Sequence, residues 1–103
     1  MINIEFFQKN YNKNITEDEL KNLISLDLYI NELGIQRGIF KGLVNLTNLN
    51  LSYNNLTEIQ SGTFEGLVNL TTLNLHNNDL TVIQPGIFKG LHNLTFLDLH
   101  YNK

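Results

Sequence analysis

A chain of 103 residues, 42% of them hydrophobic, has the length of one domain and enough apolar material for a core, which excludes compositional disorder. A net charge of −3 with seven Lys+Arg leaves no basic surface to replace phosphate counterions, so nucleic acid is excluded as the expected partner. The absence of cysteine excludes a disulfide framework and thiolate chemistry, and it fits a reducing compartment.

The segment Met1-Ile2-Asn3-Ile4-Glu5-Phe6-Phe7-Gln8-Lys9 has no uninterrupted apolar stretch of the secretory kind, and no run reaches transmembrane length. As written, the chain is expected to be soluble and cytoplasmic, without membrane insertion. Ile2, Phe6 and Phe7 have helical spacing. Thr16-Glu17-Asp18-Glu19 spells a capping box, so a second helix is predicted to begin near Thr16. Residues 1–22 carry no repeat and are predicted to form a helical cap over the core that follows.

From Leu23 onward one template recurs. Leu23-x-x-Leu26-x-Leu28-x-x-Asn31-x-Leu33 is followed by Leu46-x-x-Leu49-x-Leu51-x-x-Asn54-x-Leu56 and by Leu70-x-x-Leu73-x-Leu75-x-x-Asn78-x-Leu80. It opens again at Leu94-x-x-Leu97-x-Leu99-x-x-Asn102. The starts are 23, 24 and 24 residues apart, dividing the chain into 23–45, 46–69, 70–93 and a partial 94–103. Beyond the Leu-rich string, Gly38, Gly62 and Gly86 keep register, as do Phe40, Phe64 and Phe88, then Gly42, Gly66 and Gly90, and Asn45, Asn69 and Asn93.

This pattern resembles the leucine-rich repeat family in its 24-residue form, over residues 23–103. The resemblance implies an α/β class: a right-handed β/α superhelix of about four coils with a parallel concave sheet. The stretch from Ile15 to Leu28 also resembles the opening segment of bacterial, internalin-like repeat domains. Each repeat position has a physical reading of its own. Leu-x-Leu is the two-residue alternation of a short strand, with Leu26/Leu28, Leu49/Leu51, Leu73/Leu75 and Leu97/Leu99 predicted to point inward. A single coil cannot bury its own apolar face, so coils must stack. The Asn column at 31, 54, 78 and 102 falls where the strand turns away. A buried turn there needs a side chain that both donates and accepts, which predicts an asparagine ladder. Phe40, Phe64 and Phe88 are predicted to form a spine inside the convex side, and segments such as 62–67 to form short helical turns.

The resemblance implies a protein-protein interaction module that binds a macromolecular partner, a protein, through variable positions of the concave sheet. Those positions are Ser25, Asn48, Thr72 and Phe96, then Asp27, Asn50, Asn74 and Asp98, then Tyr29, Ser52, His76 and His100, and beside them Ile30, Tyr53, Asn77 and Tyr101. Tyr29, Tyr53, Phe96 and Tyr101 stand out, because exposed aromatics anchor protein interfaces. Asp27, Glu32, Asp79 and Asp98 on or beside the sheet, against Lys103, would favour a basic partner on encounter. His76, Asp98 and His100 fall on adjacent coils, but a flat exposed sheet without surrounding support gives no reason to expect a metal site. Ser52 beside His76 likewise has no oxyanion hole, so neither catalysis nor a cofactor is expected. Six Asn-x-Ser/Thr sequons, at Asn14, Asn45, Asn50, Asn55, Asn69 and Asn93, read as products of the Asn-Leu-Thr template. The chain reaches Lys103 just after the fourth strand, which leaves Leu94, Leu97 and Leu99 at an uncapped end. Alternative readings are an assembly unit that pairs through that end as a homodimer, or the recognition fragment of a larger effector.

Overall fold

The computed structural model describes residues 2–28 and 37–103. Two short helices come first, α1 (Ile4–Asn10) and α2 (Glu17–Lys21). They are followed by strands β1 (Ser25–Asp27), β2 (Asn48–Asn50), β3 (Thr72–Asn74) and β4 (Phe96–Asp98). The strands form one parallel sheet in the order β1-β2-β3-β4. Their register is that of the repeat: Leu26 pairs with Leu49, Leu49 with Leu73 and Leu73 with Leu97. The leucine-rich repeat solenoid expected from the sequence is the architecture observed.

Side-chain alternation explains how each strand divides its residues. Leu26, Leu49 and Leu73 are buried while their neighbours on the strand face outward. Leu28, Leu51 and Leu75 are buried one step further on. Each such leucine contributes roughly 1.5–3 kcal/mol when fully buried. Leu97 departs from the predicted pattern and is 36% exposed. No described coil lies beyond β4 to cover it.

Behind the sheet, each coil returns through consecutive tight turns. The amides of Lys41, Glu65 and Lys89 bond to the carbonyls of Gly38, Gly62 and Gly86, and those of Leu43, Leu67 and Leu91 to Phe40, Phe64 and Phe88, all at 3.1–3.2 Å. Every one of these bonds spans three residues, the 3₁₀ spacing. Phe40, Phe64 and Phe88 stack as predicted, with centroids 6.1 and 6.2 Å apart and ring planes within 10° of parallel. Parallel strands stand about 4.8 Å apart. The wider spacing of the rings makes each coil a wedge, so the stack bends with the sheet on the inside.

The asparagine ladder is present on all three described rungs. Asn78 Oδ1 accepts from the amides of Asn54 (2.9 Å) and Leu56 (3.1 Å), and its Nδ2 donates to the carbonyls of Leu51 (3.0 Å) and Leu75 (2.9 Å). Asn54 Nδ2 donates to Leu28 and Leu51, and Asn102 Nδ2 to Leu75 and Leu99. Asn102 Oδ1 accepts from the amide of Leu80 at 3.0 Å. Asn31 lies outside the described residues.

The N-terminal helices cover the first coil. Thr16 Oγ1 accepts from the Glu19 amide and Glu19 Oε1 from the Thr16 amide, which completes the predicted capping box. Phe7, Ile15 and Leu20 are buried in the common core. Phe7 lies 6.3 Å from Phe40, so α1 supplies the ring that begins the spine. Ile2 seats against Gly42, where an added Cβ would stand 2.5 Å from Ile2 Cγ1.

Two outcomes follow from this packing. Asn78→Ala removes the partners of two amides and two carbonyls in a dry turn and is expected to cost roughly 2–4 kcal/mol in urea denaturation. Asn102→Ala, in half-exposed surroundings that water reaches, is expected to cost about 1 kcal/mol; equal losses would refute the ladder's buried role. Gly42 and Gly90 share a repeat position and a left-handed φ, +94° and +90°, but nothing lies within 4 Å of a Cβ built on Gly90. Both alanine variants should lose about 1–2 kcal/mol to backbone strain. Gly42→Ala should lose at least about 1 kcal/mol more, because Ile2 must move; matched melting curves would show no such gap if the segment before α1 were not docked.

Candidate functional site

The outward positions of the sheet fall into the columns read from the sequence, but the structure uses them unequally. In the middle column, Asn50, Asn74 and Asp98 each turn one side-chain oxygen back onto the backbone. They accept from the amides of Ser52 (2.9 Å), His76 (3.1 Å) and His100 (3.1 Å). This turn, in which a short polar side chain bonds the amide two residues ahead, stops the strand. Part of each side chain is therefore structural, a role the sequence reading did not assign. Asp27, at the head of the column, is exposed.

Past the strands, the columns of residues 52, 76 and 100 and of 53, 77 and 101 converge into a line of rings. Tyr53 meets His76 edge-on at 5.4 Å, His76 lies 5.3 Å from His100, and His100 lies 4.4 Å from Tyr101. Ser52 is half-buried beside the start of this line. Phe96 is apart from it on β4 and 55% exposed. Tyr53 and Tyr101 are 55% and 72% exposed. Tyr29, Ile30 and Glu32 lie outside the described residues.

The backbone beneath the two tyrosines is unusual. Tyr53, Asn77 and Tyr101 have φ of 59°, 56° and 56°. The left-handed region costs a residue with a Cβ roughly 1–2 kcal/mol, and asparagine tolerates it because its short side chain bonds locally. Asn77 is thus the residue this turn prefers, and the tyrosines occupy the same position against the local preference.

Charge on this face is largely committed. Lys103 Nζ pairs with Asp79 at 3.3 Å. The Asp98 carboxylate bonds to the His100 ring. Partial desolvation works against the charge of Asp98. The bonds from the His100 side chain and amide, together with the field of His100 and His76, outweigh it and hold the carboxyl below its ordinary value. With Asp79 offset by Lys103, the acidic bias predicted for the concave face rests, among the described residues, on Asp27 and Asp98.

A second flank of the sheet, where each coil enters its strand, forms a broad groove lined by Asn45, Thr47, Asn69, Thr71, Asn93 and Thr95. Its polar groups are engaged with their own scaffold. The amides of Asn45, Asn69 and Asn93 donate to Lys21, Val44 and Val68 carbonyls, at 3.1, 2.7 and 2.8 Å. The hydroxyls of Thr47, Thr71 and Thr95 donate to Ile24, Thr47 and Thr71 carbonyls. The Asn-Leu-Thr sequons at these coils therefore serve as a second ladder. The recurrence of Asn and Thr was visible in the sequence; their carbonyl partners on the preceding coil were not.

Repeating parallel strands, a shared asparagine ladder and a stacked phenylalanine spine define the class as a leucine-rich repeat solenoid. The family model described as leucine rich repeat matches residues 44–103, and the chain belongs to that family. Comparison with curated proteins gives no match. Domains of this family generally mediate protein–protein interaction and are typically non-enzymatic. Among the described residues, no helix is long and apolar enough to cross a membrane.

Since the folded-state pKa of Asp98 is depressed, the stability it contributes is present above the unfolded carboxylate value of about 3.9 and is lost as pH falls through the lower folded value. Asp98→Asn should therefore be less stable than the parent near neutrality, with the difference shrinking below about pH 4. A difference that stayed constant down to pH 2 in thermal melts would show that the carboxylate charge plays no part.

Proposed function

We propose that the chain is a protein-binding module whose contact surface is the concave sheet, centred on Tyr53, His76, Phe96, His100 and Tyr101. Asp27, Asn50, Ser52, Asn74 and Asp98 form the polar ground around these anchors, with Tyr29 assigned to the same face from its repeat position. The observation that carries the reading is the pair of exposed tyrosines on left-handed backbone. Strain of this kind persists where a side chain does something the backbone alone does not require. Neither tyrosine fills the core, and both hold large flat surfaces toward solvent beside an imidazole. Rigid aromatic rings with two side-chain torsions lose little entropy on docking and dominate interface energetics.

The test separates binding from folding. Tyr53→Asn and Tyr101→Asn place in each turn the residue already tolerated at position 77, so the double variant should keep its stability within about 1 kcal/mol of the parent. Combined with Phe96→Ala, it should weaken capture of a protein partner by at least ~30-fold, the loss of roughly 2 kcal/mol at an interface anchor. Undiminished capture by the folded triple variant would move the contact surface off the concave face.

A further inference from the structure

The two imidazoles at the centre of the ring line are more closely prepared than their exposure suggests. His76 Nδ1 faces Asn77 Oδ1 at 2.5 Å, and His100 Nδ1 faces Asp98 Oδ1. An amide oxygen and a carboxylate oxygen only accept, so in the neutral rings both Nδ1 atoms carry the proton and both Nε2 atoms keep a lone pair. Neither Nε2 takes part in a hydrogen bond among the described residues. The rings stand on adjacent coils with centroids 5.3 Å apart, tilted by 36°. Tyr53 and Tyr101 bracket them on either side.

We propose that His76 and His100 form a two-imidazole site for a divalent transition-metal ion of the zinc, nickel and copper class. Metal-binding histidines characteristically donate their second ring N–H to a carboxylate or a carbonyl, which fixes the tautomer and orients the ring. Asn77 and Asp98 do this here. Zinc–nitrogen bonds of about 2.0–2.1 Å place two nitrogens of one tetrahedral ion roughly 3.3 Å apart. Ring nitrogens lie off their ring centres, so two rings with centroids 5.3 Å apart stand near enough for one nitrogen of each to reach a common ion. The Asp98 side chain bonded to the His100 ring places a carboxylate beside the site, which favours a cation. Among the described residues no group of three or more His, Cys, Asp or Glu is placed to hold an ion. The site therefore offers two protein ligands and leaves the remaining positions to water. Imidazole nitrogen rather than carboxylate oxygen as the donor selects this class over magnesium and calcium. The proposal stands independently of the partner reading above.

The chain provides its own control, since it has three histidines and no cysteine, and the third, His92, is exposed on a return segment. Titration of the full chain with zinc chloride at neutral pH, followed by calorimetry and by imidazole NMR signals, should show one equivalent bound. The signals of His76 and His100 should move and those of His92 should not. His76→Gln and His100→Gln should each abolish saturable binding, while His92→Gln leaves it unchanged. Asn77→Ala or Asp98→Ala, which release a ring without removing a ligand, should weaken it by at least ~10-fold. Circular dichroism of each variant checks that the solenoid is intact. Absence of binding to the parent chain would overturn the proposal, as would binding that survives loss of either His76 or His100, or binding lost with His92.

Discussion

Everything in this solenoid depends on how a buried turn satisfies its backbone. At the end of each strand the chain must leave the sheet without exposing the leucines behind it. That puts amides and carbonyls in a place water does not reach. Asn78 answers four of them at once, from two different coils. The same side chain therefore closes one turn and fastens it to its neighbour. Unpaired, each of those groups would cost about 1–3 kcal/mol, comparable with burying a leucine. The ladder is thus a condition for stacking, and stacking is what lets short three-residue strands bury anything.

The repeat made much of this legible. In-phase recurrence of Leu, Asn and Phe is readable because each coil meets the same surroundings and so imposes the same demand. The helices were legible for a different reason: Thr16 and Glu19 satisfy each other locally. Less legible were interactions in which one member stands outside the period. Phe7 belongs to no repeat, yet it joins the spine through Phe40. Its helical spacing identified an apolar face but not the ring that face would meet.

The candidate site was legible as columns and not as chemistry. Position in the repeat placed Tyr53, His76, His100 and Tyr101 on one face. It could not show that the middle column turns back on the backbone, because an exposed Asn reads the same whether or not it bonds the amide two residues ahead. Nor could it show that Asp98 and Asn77 hold the two imidazoles. Asn77 carried the one available signal for the left-handed turn, and the tyrosines at the equivalent positions concealed it.

The unequal spacing of the two sides has a consequence for the geometry of recognition. Phenyl rings on the outer arc sit 6.1–6.2 Å from coil to coil, while the imidazoles on the inner arc sit 5.3 Å apart. A bent stack acts on its side chains as a lens: it spreads those that point outward and gathers those that point inward. Residues some two dozen positions apart in sequence are thereby brought ring to ring without a loop, a pocket or a hinge. The thickness of a ring buried on the far side sets the focal length.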